Sequence, residues 1–301
     1  MKKRSIIMFM LICLAFVGLV AESEAGSVKK TVAVFEFKND SGYRSKVNLG
    51  TDFSTQLSDA LVQSQKFVVL SRKDLDVVMA EQDLAKSDRF AKAKAAKTGK
   101  IIPAQVLVKG QITEFEENTS SGGQGLSVKG FTIGSKKTSA HVAVIIQLIN
   151  STTGEIIESK RVEGNAKGGG LSLGYSGDFS INSSNFRKTP LGKAVQIAID
   201  NAVDFIGKKM DDIPWKGKVI LSKGEEVFIN AGSAAGIKGG DTFSILREGE
   251  ALVDPDTGIE LGRDTAKIAE ISITEAKVKF SKAKVVGVPL EPITTGDVVE
   301  E

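Results

Sequence analysis

Few residues in this sequence have the types and spacing that bond-making chemistry needs. The only histidine, His141, stands at the edge of a run, 140–150, that reads as a central strand. With one histidine and one cysteine no zinc-binding Cys/His cluster can be assembled, a Ser-His-Asp arrangement is implausible with His141 the sole candidate, and a structural histidine is the favoured reading. No phosphate-cradling G-x-x-x-x-G-K-[ST] or strand-linked G-x-G-x-x-G occurs, and Gly168-Gly169-Gly170 lacks their spacing. Asp254, Asp256 and Glu260 have the flavour of a calcium loop. The bidentate acid such a loop requires falls on Thr265, so the segment reads as a β-turn. Asn150-Ser151-Thr152 matches a glycosylation acceptor, a pattern common by chance. The expectation is no enzyme, no cofactor and no metal.

Another kind of chemistry is written in two glycine- and serine-rich stretches, 119–139 and 164–186. From Leu171, alternate positions read Leu171, Leu173, Tyr175, Gly177, Phe179 and Ile181, with Ser172, Gly174, Ser176, Asp178, Ser180 and Asn182 between them. The first stretch alternates more briefly, through Leu126 and Val128, then Phe131 and Ile133. Period-2 alternation places an apolar row on one face and a polar row on the other. A hairpin with lipid on one side and water on the other needs that order. Flexible surface loops are the alternative. Against the lipid reading, Lys129, Lys136, Lys137 and Lys167 need water or headgroups.

The rest of the chain must position these stretches. Residues 1–25 read as a signal peptide: Lys2, Lys3 and Arg4, then an apolar run, then Ser23-Glu24-Ala25 as a cleavage site. The only cysteine, Cys13, lies inside that run, so the mature protein is expected to have no thiol, disulfide or lipid anchor. No other stretch is apolar and long enough for a spanning helix. The net charge of +3 is too small to argue for nucleic acid.

Strand-like runs occupy 31–37, 67–70, 105–117, 140–150 and 155–163. Amphipathic helical spacing marks Phe53, Leu57, Ala60 and Leu61, with Thr51 or Asp52 as cap, and a helix opened by Ser71 and Asp74 carries Leu75, Val78 and Met79. Residues 85–100, rich in alanine and lysine, read as a solvated helix. Thr189 and Pro190 open the longest helix, with Leu191, Val195, Ala198, Ile199, Ala202, Phe205 and Ile206 on one face. After Pro214 the texture changes to short strands, 218–221, 226–230, 242–247, 266–273 and 277–286, separated by turns. The expected fold class is α+β: an α/β domain over 26–215 with a mixed sheet and two long hairpins, then an all-β, SH3-like barrel over 216–301.

Several segments in order resemble the curli-secretion channel family (CsgG/HfaB). They are Lys109-Gly110-Gln111-Ile112; 117–134 with its Ser-Gly-Gly-x-Gly; 144–156 with its Asn-Ser-Thr-Thr-Gly-Glu-Ile turn; and Thr189-Pro190 with its helix. The resemblance covers about 31–215. It implies a periplasmic domain that assembles into a homo-oligomeric ring in the outer membrane. Each subunit would lend two hairpins, 119–139 and 164–186, to a shared barrel that passes unfolded fibre subunits or related polymers without ATP. Leu126, Val128, Phe131, Ile133, Leu171, Leu173, Tyr175, Phe179 and Ile181 would face lipid. The family narrows its pore with the loop before the first helix, which places Tyr43, Asn48 and Phe53 as constriction candidates. The alternative there is a surface loop with Phe53 packing the helix. Two departures, the missing lipidation cysteine and the extra barrel, leave room for a soluble periplasmic adaptor of cell-envelope or flagellar assembly without a pore.

Overall fold

The computed structural model describes residues 28–44, 48–85, 101–121, 126–128, 131–133, 136–170, 184–256, 258 and 260–301. The molecule is α+β, with a mixed sheet under helices followed by a closed antiparallel barrel. The first core is built on β1 (Lys30–Val34), β2 (Lys38–Asn39), α1 (Leu49–Gln63), β3 (Phe67–Ser71) and α2 (Leu75–Leu84). It continues with β4 (Val106–Ser121), β7 (Lys136–Asn150), β8 (Ile156–Gly170), α3 (Ser184–Arg187) and α4 (Pro190–Asp211). Between β4 and β7 lie the short β5 (Leu126–Val128) and β6 (Phe131–Ile133). The sheet runs β3-β1-β4-β7-β8, with β1 parallel to both β3 and β4, and with β4, β7 and β8 antiparallel in sequence. β2 takes up the pairing with β4 where β1 leaves it.

Helices α1 and α4 cover one face. On β7 the even row Val142, Val144, Ile146 and Leu148 is fully buried against Leu57, Leu61, Ile199 and Ile206. The odd row Ile145, Gln147 and Ile149 is half-buried, so β7 is apolar on both faces as a central strand should be. α4 begins at Thr189, whose Oγ1 accepts from Gly192 N at 3.0 Å, with Pro190 at the first helical position. α1 is capped by Asn48, not by Thr51 or Asp52. Asn48 Oδ1 accepts from Gly50 N and Thr51 N, because the helix starts three or four residues earlier than the expected caps indicate. At α2, Ser71 Oγ donates to Asp74, but the Asp74 side chain makes no cap bond to the helix. Of the expected helix over 85–100, residues 86–100 lie outside the described residues.

The alternation of faces along β4 breaks at one place. A bulge falls between Ile112 and Glu114, leaving Thr113 without a pairing partner in the ladder. Before the bulge the even residues Val106, Val108 and Ile112 face the core; after it Phe115 does. Glu114 is thereby moved to the opposite face, since one extra residue inverts a period of two.

The second core is a closed barrel in the order β10-β13-β12-β11-β14-β9. Its strands are β9 (Lys216–Lys223), β10 (Glu226–Ile229), β11 (Thr242–Val253), β12 (Glu260–Ala276), β13 (Ser281–Val286) and β14 (Val298–Glu300). Val219, Ile229, Ile245, Ile271 and Val299 fill it, with the Trp215 and Phe243 rings 5.5 Å apart. Two expected strands prove much longer. Past Arg247 and Ala266, β11 and β12 keep pairing as an exposed two-stranded arm as far as Val253↔Glu260. The expected run 277–286 is interrupted by a turn, and only Ser281–Val286 is strand.

Candidate functional site: hairpin stems and the loop before the first helix

The strands that lead toward the two hairpins outlast the core beneath them. After the buried pair Phe115↔Val142, β4 and β7 continue through Glu116↔His141 to Ser121↔Lys136, six further pairs. β7 and β8 stay in register out to Lys136↔Gly170. Each of these strands is fifteen or sixteen residues long, roughly 50 Å end to end at the rise of an extended chain. Beyond them, β5 and β6 pair Leu126 with Ile133 and Val128 with Phe131. Leu171, Leu173, Tyr175, Phe179 and Ile181 lie outside the described residues.

The opening glycines of the second stretch serve packing rather than flexibility. A Cβ on Gly164 would lie 1.9 Å from Ala194 O of α4, and one on Gly168 would lie 2.6 Å from Pro190 Cγ. β8 therefore keeps these residues in the domain sheet, where α4 rests directly on the strand. The part of 164–186 able to leave the sheet starts later than its composition suggests.

The loop before α1 separates the three constriction candidates. Tyr43 is exposed, its ring 4.9 Å from the centroid of Phe115. Asn48 is occupied at both ends of its amide, capping α1 through Oδ1 and donating from Nδ2 to Glu36 Oε1 at 2.5 Å. Phe53 has no exposed surface and stacks on Phe37 at 5.3 Å within the first core. The reading of Phe53 as a pore residue is therefore corrected: it packs the helix. Phe37 in turn lies over Gly110, where a Cβ would fall 2.2 Å from its ring. That close approach is a physical reason for glycine within Lys109-Gly110-Gln111-Ile112.

At the base of the stems, on the face away from α1 and α4, a polar network crosses three strands. His141 Nε2 lies 2.8 Å from Glu114 Oε2, and Nδ1 lies 2.7 Å from Asn165 Oδ1. Arg161 donates from Nη2 to Glu114 Oε1 at 2.6 Å, from Nε to Glu163 Oε1 at 2.7 Å and from Nη1 to Thr113 Oγ1 at 3.2 Å. The Arg161 hydrogen bond holds the Glu114 carboxyl below its ordinary range. Glu163 first, then Glu114, raise the Arg161 guanidinium. No local pattern in the sequence signals this network. Its members are far apart in the chain, and only the bulge at Thr113 turns Glu114 toward the other two strands. With its ring nitrogens engaged on both sides, His141 ties strands together. Among the described residues no three metal-ligating side chains converge. Asp254 Oδ1 accepts from Asp256 N at 2.8 Å, and Glu260 pairs with Arg263. Asn150 Oδ1 likewise accepts from Thr152 N at 2.9 Å, closing the turn before β8.

Comparison with known proteins places these features. No curated protein matches the chain. Among solved structures, a hypothetical protein from Chlamydia trachomatis is 18% identical, with 60% of this chain and 97% of that one covered at a TM-score of 0.39. A lipoprotein from Neisseria meningitidis is 13% identical, covering 60% and 99% at 0.29. A PelC dodecamer from Paraburkholderia phytofirmans is 13% identical, covering 57% and 85% at 0.27. Likeness at these scores carries no argument about the present chain. The family described as flagellar assembly protein T, C-terminal domain, matches residues 224–301, the greater part of the barrel. The family described as curli production assembly/transport component CsgG matches residues 16–236, from the signal-like start through the stems and α4. The chain belongs to the CsgG family.

Proposed function

We infer that several copies of this chain close a ring in the outer membrane and export a fibre subunit or related polymer, without catalysing a reaction on it. The observation that carries this reading is the continuation of β4, β7 and β8 well past the core, toward two segments of alternating polarity. Lipid leaves no water for unpaired backbone groups, so such hairpins span a bilayer only where a neighbouring copy pairs each edge. No helix among the described residues is long and apolar enough to cross a membrane, which leaves strands as the route. Tyr43 stands exposed in the loop that would narrow the pore, and it remains a constriction candidate beside Asn48. The mature protein is expected to form detergent-stable rings and discrete conductance steps in planar bilayers. Asp at both Leu173 and Phe179 should abolish those steps. A monodisperse wild-type monomer that is electrically silent would overturn the channel.

A second reading rests on the barrel's match to a flagellar assembly domain: a periplasmic adaptor of envelope or flagellar assembly without a pore. High-salt extraction separates the two. An adaptor leaves the membrane pellet, whereas an inserted barrel stays.

A further inference from the structure

The geometry points to a basic collar at the hairpin base that binds phosphate-bearing lipid headgroups. Lys137, Lys167, Arg187, Lys188 and Lys193 are all exposed, and none has an ion-pair partner among the described residues. They cluster at one level of the fold. Lys137 pairs with Gly169 and Lys167 with Ser139 in the β7–β8 ladder, on the face that carries His141 and Asn165. Arg187 ends α3, Lys188 follows it, and Lys193 lies in the first turn of α4. The packing of Pro190 over Gly168 brings that turn to the level of Lys167 on the opposite face. Cations thus stand on both sides of the sheet where its strands leave the core.

The order of charge along the strands supports the same conclusion. Glu114, Glu116, Glu117 and Glu163 lie nearer the domain body, at the level of the pairs from Glu117↔Ala140 to Ala143↔Glu163. Moving outward along the ladders, the carboxylates give way to the cations, and in sequence the cations lead on to the stretches of alternating polarity. Water, headgroup and hydrocarbon follow one another in that order across a bilayer interface. The spread of five separate cations over strand and helix suits a surface of many phosphates rather than one small anion. The inference rests on the channel reading for where the hairpins go, but its test needs no pore.

The test is flotation of the mature protein with vesicles of phosphatidylcholine alone, or containing a minority of phosphatidylglycerol. Wild type is expected to bind the anionic vesicles more tightly and to lose that preference as salt shortens the Debye length. Lys167→Gln with Lys188→Gln should weaken anionic binding by roughly 25-fold, at about fivefold per cation near the surface. It should leave binding to neutral vesicles and the melting temperature unchanged. Lys223→Gln with Lys279→Gln, on the exposed surface of the barrel domain, should change neither. Indifference to lipid charge, or equal loss in both double variants, overturns the collar whatever the conductance. Inorganic phosphate that abolishes vesicle binding at matched phosphate concentration would also overturn it, by identifying a free-anion site. Should wild type be electrically silent yet keep the Lys167/Lys188 dependence, the pore falls and the collar stands.

Discussion

One buried carboxylate gathers several hydrogen bonds beside the closing strand β14 of the barrel. Asp297 is almost fully buried and accepts from Arg247 Nε at 2.7 Å and Nη2 at 2.9 Å, and from Thr294 N at 2.7 Å. Burial by itself would raise its pKa, but the Arg247 and Thr294 hydrogen bonds together hold it below the usual 3.8. A depressed folded value stabilises the native state above the unfolded pKa, and that contribution is lost as pH falls through the folded one. Asp297→Asn is therefore expected to cost about 2 kcal/mol at neutral pH, since Arg247 is only half-buried. The gap to wild type should narrow as pH drops below 3.8. Urea denaturation across that range measures both. An undiminished gap in acid would show that the charge is not the source. Phe53 teaches the complementary lesson. Its spacing with Leu57 and Leu61 already marked it as core, and that periodicity outweighs its place at the end of the loop.

At the scale of elements, close backbone approach explains glycines that composition alone leaves ambiguous. Gly164 lets α4 lie on β8, and Ala194 O occupies the space a side chain would fill. Because the obstructing atom is backbone, relief requires moving a 22-residue helix. Gly164→Ala should destabilise the first core by about 2–3 kcal/mol, read as a lower denaturant midpoint at unchanged slope. Wild-type stability in that variant would mean α4 sits farther from the sheet. The bulge at Thr113 acts in the same register-dependent way, turning Glu114 from the core toward Arg161 and His141. The β11–β12 arm was invisible to alternation. Its flanks carry charged and apolar residues without a clean period, and cross-strand pairing alone extends it.

Across the whole molecule, the two cores are coupled at the beginning and end of the α/β region. Val28, just before β1, is buried in the barrel core beside Trp215, which follows α4. Lys29 N donates to Ala235 O at 2.8 Å, and Lys30 Nζ donates to Met210 O at 2.6 Å across the α/β core. Removing Val28 should thus loosen a barrel whose own strands begin nearly two hundred residues later. Val28→Asp is expected to lower barrel stability by about 3 kcal/mol, because an ionised group would replace a buried apolar one. Hydrogen exchange of β10 and β13 amides reports it, and wild-type protection there would show that the barrel closes without the N-terminal segment.

By itself the sequence determined what is local. Period-2 and helical spacing, the Thr189-Pro190 start, and the change of texture after Pro214 identify α1, α2 and α4, most strands and the α+β class, but not α3, which begins inside the stretch read as a hairpin. They do so because side-chain direction follows directly from backbone period. Tertiary structure alone decided matters that depend on distant partners: which face Glu114 takes after the bulge, why Gly110 and Gly164 must lack side chains, and how far β4, β7 and β8 outrun their core. Those outcomes are set by register and by the approach of elements far apart in the chain, and no window of neighbouring residues contains them.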